Sequence, residues 1–316
     1  MLEKWKDGCK KVEIPYFYIL AAADLYLVLP VVIFFFGWLK IGWGWAFSGI
    51  VLAGMFFLVR EQSRNHEKIR LPWAAVLLIF LTVSLWVYCS GVGGFWLQKP
   101  DWHWRNAILR DLVDYSWPVV YPETGNALVY YITYFLVPAL AGKLFGFTAA
   151  NVILLLWTMI GICICIFLLC KYLQIDSVKM TAVILLLFVV WRGFDGVRNR
   201  FVEMLGLYES GYEYTCNHAL LQWVTNQTIV PWVAALVFLT DRKLRNYAFL
   251  GLSVLASAPL PFAGFFVLLA ADGIYQFVCT YDKNGRAWMK DVCSMQNLCA
   301  VCSLLPVYGF YYAGNT

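Results

Sequence analysis

The chain has 316 residues, of which 62% are hydrophobic and only 14% are charged, whereas a soluble domain carries about 25% charged residues. Its net charge of +5 comes from short segments between apolar runs and not from a basic polar surface, which excludes a nucleic-acid partner. Aromatic residues make up 18% of the chain, as in the interfacial belts of membrane proteins. We therefore predict a single transmembrane domain over residues 1–316.

The apolar runs predict an all-α, polytopic transmembrane helix bundle, because a spanning helix needs about 20 mostly apolar residues. The first run follows a basic N-terminal segment, but it is long and no small-residue cleavage site follows it. We therefore expect a retained helix and not a signal peptide. The candidate segments are 15–36, 43–59, 72–96, 127–146, 149–170, 178–193, 228–241, 246–260, 262–279 and 292–313.

The distribution of Lys and Arg predicts the topology, because these residues favour the cytoplasmic side. If every segment crosses, the 24 Lys and Arg residues divide equally between the two sides. If segment 127–146 lies along or dips into the outer face, 16 of the 24 fall inside. Pro138, Gly142 and Lys143 suit such a segment. We predict about nine spans, N-in/C-out, with an in-plane helix pair between spans three and four and outer loops 97–148 and 193–227.

The first outer loop contains a polar stretch, "DWHWRNAILRDLVDY", that predicts an amphipathic helix over residues 102–115. The apolar face of this helix would comprise Trp104, Ile108, Leu112 and Tyr115, and its polar face His103, Arg110 and Asp114. Asp101 precedes it, where an N-cap residue would lie. Asp101 is therefore either a helix cap or an ionisable group that faces a cavity at the membrane edge.

The second outer loop carries a mixed set of charged and aromatic residues. Its ionisable residues are Asp195, Glu203, Glu209, Glu213 and His218, with Arg192, Arg198 and Arg200 as cations. Arginine matches phosphate oxygens in geometry, although arginines at headgroup level also contact lipid phosphates. Trp223, Asn226, Gln227 and Trp232 are candidates for sugar binding by stacking and hydrogen bonds. An aromatic belt accounts equally well for the tryptophans.

The stretch from Asp101 to Leu112, "DWHWRNAILRDL", resembles the first outer-loop motif of GT-C membrane glycosyltransferases, in the aminoarabinose and protein-mannosyl transferase branch. Ile108, Arg110 and Asp111 fall at matching offsets from Asp101. The later stretches "YPETGNALVYY" and "GKLFGF" resemble the proline-containing segment and helix end that follow in these enzymes. Several relatives have a second acid where this chain has Trp102. The similarity covers about residues 97–193.

The resemblance implies a GT-C-like fold and transfer of a sugar from a polyprenyl-phosphate donor to an extracytoplasmic acceptor, which is a glycan, a lipid or a protein. It implies that Asp101 acts as the general base. Around this base we place two further candidate acids, the cations for the donor phosphate and the residues for the substrate. The candidate acids are Asp111 and Asp114; the cations are Arg105, Arg110, Arg198 and Arg200; the substrate residues are His103, Asp195, Glu213, His218, Trp223 and Gln227.

No phosphate-binding glycine loop or dinucleotide motif is present in the sequence, which fits a lipid-linked donor. We expect no cofactor. A divalent cation at His103 and His218, with Asp101 or Glu213, is possible but is not implied by their spacing. The expected surroundings are membrane lipids of a bacterial cytoplasmic membrane. The alternatives are a transporter or flippase of lipid-linked saccharides, and a non-catalytic membrane scaffold.

Overall fold

The computed structural model describes residues 11–190 and 216–313, with side chains to Tyr311. The described chain is helical apart from one two-stranded ribbon, β1 (Lys11–Pro15) and β2 (Lys68–Pro72). The helices before residue 190 are α1 (Tyr16–Trp38), α2 (Ile41–Gln62), α3 (Trp73–Cys89), α4 (Trp102–Asp114), α5 (Thr133–Phe145), α6 (Phe147–Tyr172) and α7 (Val178–Val190). Those after residue 216 are α8 (Asn217–Trp223), α9 (Thr225–Thr240), α10 (Tyr247–Ser257), α11 (Pro259–Cys279), α12 (Gly285–Val292) and α13 (Met295–Ala313).

Four helices, α1, α2, α6 and α11, are long and apolar enough to cross a membrane. A fifth candidate exists if α12 and α13, which are bent by 53° relative to each other, count as one span. The apolar helices α3, α5, α7 and α9 have 10 to 17 residues, fewer than the roughly 20 that a span needs. Within the described chain the structure therefore gives four or five candidate spans, and the predicted nine are not confirmed.

The predicted segment 72–96 is longer than the helix it contains, because α3 ends at Cys89. Gly91, Gly93 and Gly94 follow with φ between +77° and +86°, a backbone region that disfavours side chains. A Cβ atom on Gly93 would lie 2.7 Å from the carbonyl oxygen of Asn151. The glycines thus end the helix and turn the chain tightly towards α4.

The loops that the charge distribution assigned to the inner side lie together at one end of the bundle, which we call the cationic end (residues 11–15, 61–72, 171–176, 241–246 and 281–297). Lys171 Nζ lies 2.7 Å from Glu67 Oε2, and Arg245 Nη1 lies 3.8 Å from Glu61 Oε2. A chain in which every segment crosses would have put these partners on opposite sides. The C-terminal end of α13 lies at the other end, where the ring centroids of Phe310 and Trp38 are 6.3 Å apart.

Helix α5 explains why these loops share one end. Its 13 residues extend about 20 Å, less than the roughly 30 Å hydrocarbon core. A tight turn at Gly146, with φ +89°, folds α5 back on α6. Tyr134 hydroxyl lies 2.5 Å from Thr158 Oγ1, so the two helices run antiparallel. This arrangement fits the dipping alternative, whereas an in-plane helix does not fit beside a spanning α6.

The β1–β2 ribbon is a feature that the periodicity analysis missed. Its strands pair antiparallel, with Glu13 opposite Arg70. Glu13 also lies 2.6 Å from Lys68 Nζ, and these cations lower the pKa of the Glu13 carboxyl. The signal was present, because "KVEIP" and "KIRLP" repeat one alternating pattern. Each strand ends in a proline directly before a helix, so the ribbon ties α1 to α3 at the cationic end.

The core of the bundle forms around α1 and α6, which are more than half buried, whereas α2 and α11 are mostly exposed. The rings of Tyr26 and Trp157 stack at 4.1 Å between these two central helices. Large apolar side chains are exposed on the outer helices, among them Phe56, Leu77, Leu85, Leu186, Val267 and Ile274. Apolar outer faces on long apolar helices are compatible with a membrane protein.

Gly142 lets α4 pack closely against the α5–α6 hairpin. A Cβ atom there would lie 2.5 Å from Val113 Cγ2 and 2.8 Å from Ala150 Cβ. We expect Gly142→Ala to lower the free energy of unfolding by about 1–3 kcal/mol, because Val113 and Ala150 must move to make room for the added methyl group. The measurement is the thermal midpoint of unfolding, which should fall. Gly264→Ala is the matched control, since nothing lies within 4 Å of a Cβ atom there. Equal midpoints for both variants would contradict the close approach.

Candidate functional site

The face that helix α4 buries overlaps the predicted apolar face only in part. Its buried residues are Trp102, Arg105, Leu109 and Leu112, which recur every three or four positions, as one helix face does. Leu112 belongs to the predicted apolar face, whereas Trp104 of the same face is 71% exposed. The prediction failed because an arginine in the middle of the buried stripe made that stripe look polar. The exposed positions of His103, Arg110 and Asp114 agree with the prediction.

Arg105 is the central finding of the site, because it is a buried cation without a close partner. The residue is 6% exposed, and its Nε and Nη1 atoms have no hydrogen-bond partner in the described part of the chain. Its Nη2 atom lies 3.9 Å from Asp101 Oδ2, which is too far for a hydrogen bond. Burial lowers the pKa of the guanidinium, and Tyr130 and Asp101 oppose that effect. Unpaired buried donors of this kind are costly.

Trp102 adds a second unpartnered donor beside Arg105. The residue is 1% exposed, and its indole Nε1 has no partner among the described residues. The Arg105 guanidinium lies 5.7 Å from the centre of the Trp102 ring, within the range of a cation–π contact. The buried face of α4 therefore carries guanidinium and indole N–H groups that have no acceptor in the described part of the chain.

Asp101 occupies the N-cap position of α4, but its side chain does not cap the helix. It has helical backbone angles and no side-chain hydrogen bond to the first turn, so the expected cap is absent. About half of the side chain is exposed. Asp101 therefore combines an accessible carboxylate with a buried cation one helical turn away.

Asp111 and Asp114 do not join Asp101. They lie about 15 Å and 20 Å further along α4, at 1.5 Å per residue. Tyr121 donates a hydrogen bond of 2.6 Å to Asp111 Oδ2, and burial together with this bond raises the pKa of Tyr121 to about 12. Asp111 thus fastens the 119–128 turn to α4. Asp114 is exposed and lies near Lys143, whose pKa it raises against the effect of burial.

Arg110 is also separated from Arg105. It is exposed, and its guanidinium lies 4.0 Å from the centre of the Phe147 ring, at the start of α6. Lys143 donates to the backbone oxygens of Val113 and Tyr115. These contacts hold the C-terminal end of α4 to the α5–α6 hairpin, so the structure places Arg110 in packing and does not bring it beside the buried guanidinium.

The described part of the second outer loop approaches the first one through His218. Trp86 Nε1 donates to His218 Nδ1 at 3.0 Å. Burial and the positive charge of Lys99 lower the pKa of His218, so the imidazole is near a lysine only two residues before Asp101. Trp223 is 41% exposed and Gln227 is half-buried. The predicted residues Asp195, Arg198, Arg200 and Glu213 lie outside the described residues.

Two tyrosines near Arg105, Tyr130 and Tyr131, received no place among the predicted site residues. Tyr130 lies close enough to act on the charge of Arg105, and its ring is 4.9 Å from that of Tyr131. The amide of Asn226 donates to the Tyr131 oxygen at 3.4 Å. Asn226 is fully buried, and its Oδ1 is unpartnered within the described residues. Asn226 was named from the sequence as a candidate for sugar binding, and the structure places it beside the backbone of Tyr131.

The N-terminal end of α5, which follows Tyr130 and Tyr131 in the chain, contacts the C-terminal ends of α10 and α13. Thr133 Oγ1 donates to the backbone oxygen of Ala256 at 2.6 Å, and Tyr311 donates to the same oxygen at 2.7 Å. Thr133 also contacts Ser257, where α10 ends. The start of α5, the end of α10 and the end of α13 therefore meet next to the segment that carries Tyr130 and Tyr131.

Over residues 11–190 and 216–313, no group of three or more His, Cys, Asp or Glu side chains is placed to hold a metal ion. His103 is exposed and its ring contacts Trp104, while His218 accepts from Trp86. The partners suggested for a divalent cation include Glu213, which lies outside the described residues.

Comparison with known proteins does not assign a family. No protein-family model, curated protein or solved structure matches the chain. The functional argument therefore depends on the residues around Arg105 and Asp101.

Proposed function

We propose that the protein is a membrane glycosyltransferase that moves a sugar from a polyprenyl-phosphate donor to an extracytoplasmic glycan, lipid or protein, in a bacterial cytoplasmic membrane. The observation that carries the proposal is the buried, incompletely paired guanidinium of Arg105, 3.9 Å from the accessible carboxylate of Asp101. Both groups lie at the end of the bundle opposite the cationic end. The resemblance of residues 101–112 to the GT-C motif supports the same chemistry.

The proposed reaction is a displacement at the anomeric carbon. Asp101 accepts the proton of the acceptor hydroxyl, whose oxygen forms the new bond to that carbon. The bond from the anomeric carbon to the carrier phosphate breaks, and the phosphate keeps the electron pair. Arg105 stabilises the charge that develops on this leaving group, because a preformed cation in a dry site acts most strongly in the transition state. The indole N–H of Trp102 is a further donor for the phosphate.

The test measures sugar transfer from a radiolabelled polyprenyl-phosphate sugar pool in membranes that contain equal amounts of each variant. We expect Asp101→Asn to lower the transfer rate by about 10²–10⁴-fold, the usual contribution of a general base. Glu123→Gln is the matched control, because Glu123 is an exposed carboxylate of the same outer loop away from Arg105. Full transfer by Asp101→Asn would refute this role.

A transporter or flippase of lipid-linked saccharides is the second candidate, and one observation favours it. Asp24 is completely buried within α1, and neither carboxylate oxygen has a hydrogen-bond partner in the described chain. Ionisable residues inside spans often mark ion or substrate pathways. Asp272, the other acid inside a candidate span, is instead paired with Arg242 and accepts hydrogen bonds from Tyr247 and Gln276. These contacts give Asp272 a structural role.

A further inference from the structure

The cationic end contains a cavity that is separate from the site around Arg105. It has a volume of about 420 Å³ and lies between the end of α2, the chain at Arg245 and the bend between α12 and α13. Its charged lining consists of Arg60, Arg64, Arg245 and Lys290, with Glu61 as the single acid. The cavity is therefore strongly positive.

Three of these cations are available to a ligand. Arg245 is paired with Asp291 at 2.6 Å and approaches Glu61 at 3.8 Å. By contrast, Arg60, Arg64 and Lys290 are exposed, and no carboxylate of the described chain lies within 4.0 Å of any of them. Glu61 is itself shared among Lys243, Arg245 and Gln296. The acids of this region thus leave the three exposed cations uncompensated.

The lining of the same cavity also has an apolar part. Phe57, Cys293 and Met295 line it together with the cations, and the polar residues Ser294 and Gln296 complete it. The cavity opens where α12, a short helix with no buried residue, meets α13 at an angle of 53°. Trp288 of α12 donates to the Gly273 oxygen at 3.0 Å, which holds this surface helix against α11. A group of cations and an apolar part of the lining, beside a candidate span, match the two parts of a phospholipid.

We propose that this cavity binds the headgroup of an anionic phospholipid, with Arg60, Arg64 and Lys290 on the phosphate and Phe57 and Met295 against the acyl chain. Basic cavities between membrane helices at the cytoplasmic side are suited to such headgroups. Arginine adds directional bonds to phosphate oxygens. Phe57 and Met295 favour a lipid over a free phosphate compound, which has no apolar part to contact them.

The test uses the purified full chain in a neutral detergent and follows its thermal midpoint during titration with phosphatidylglycerol. We expect a saturable rise in the midpoint, because a ligand that binds only the folded state stabilises it. The triple variant Arg60→Gln, Arg64→Gln, Lys290→Gln should bind the lipid about 100-fold more weakly. Arg245 stays in place in this variant, because it pairs with Asp291.

The matched control removes the same number of charges elsewhere. Lys179→Gln, Lys283→Gln and Arg286→Gln together alter exposed residues outside the cavity lining, and this variant should respond to phosphatidylglycerol like the wild type. Phosphatidylcholine and inorganic phosphate serve as separate titrants. Equal weakening in both triple variants would overturn the proposal, and so would an equal rise with phosphatidylcholine or with inorganic phosphate. If the triple variant does not fold, the single variant Lys290→Glu is used instead. It should reduce the rise in thermal midpoint that phosphatidylglycerol causes.

Discussion

Replacement of Arg105 by methionine is expected to lower sugar transfer by about 10²–10³-fold, the cost of removing one preorganised group that stabilises developing negative charge. The same variant should be as stable as the wild type or more stable. Arg105 is 6% exposed and two of its nitrogens have no partner, and a buried charge without full pairing costs stability. Transfer in membranes and the thermal midpoint in detergent are the two measurements.

Opposite changes in activity and stability would identify Arg105 as a functional residue, since a structural residue loses both together. Lys99→Gln is the control, because it removes an exposed cation of the same loop and should leave most of the transfer rate. Arg105→Lys keeps the charge but not the fork of donors, so we expect an intermediate rate. A methionine variant that transfers sugar at the wild-type rate would remove Arg105 from the mechanism.

Replacement of Asp24 by asparagine is expected to raise the thermal stability by about 1–3 kcal/mol, the usual penalty of an unsatisfied buried polar group. Asp24 is 0% exposed, and the Gln62 side chain beside it also lacks partners in the described chain. The introduced amide can both donate to and accept from the Gln62 amide without a charge. The midpoint of thermal unfolding in detergent is the measurement.

Asp176→Asn is the matched control, because its ion pair with Lys11 is at the surface and such pairs contribute about 0–1 kcal/mol. A lower thermal midpoint of the Asp24 variant would contradict the prediction. It would mean that the carboxyl group of Asp24 stabilises the folded chain. The Arg105 experiment therefore tests sugar transfer, and the Asp24 experiment tests the energetic cost of a buried acid inside α1.

The placement of the helices was readable from the sequence, because hydrophobic runs are local properties of the chain. The runs that became α1, α2, α6 and α11 are long enough to span, and their positions were predicted to within a few residues. Lys and Arg counts also predicted which loops share one end, and the Glu67–Lys171 and Glu61–Arg245 pairs lie at that end as expected. Helix ends were less accurate, because backbone angles at glycines decided them.

The candidate site depends on tertiary structure. The sequence pointed to the stretch from Asp101 to Asp114 and named six ionisable residues there as candidates, with Asp101 as the base. Packing separated them: Arg105 faces the bundle, whereas Asp111 and Arg110 hold neighbouring segments. The side on which a helix packs is set by its neighbours α5 and α6, which begin at Thr133 and Phe147, well beyond the end of α4 at Asp114. For that reason local periodicity alone did not place Arg105 on the buried face.

The sequence by itself determined that the chain is helical, apolar and basic at one end, since composition and periodicity fix these properties without reference to distant contacts. Only the tertiary structure decided that α5 folds back on α6, that Arg105 is buried beside Asp101, and that Arg60, Arg64 and Lys290 face one cavity. These features join residues far apart in the chain. Their energies depend on burial and on missing partners, which exist only once the helices have packed together.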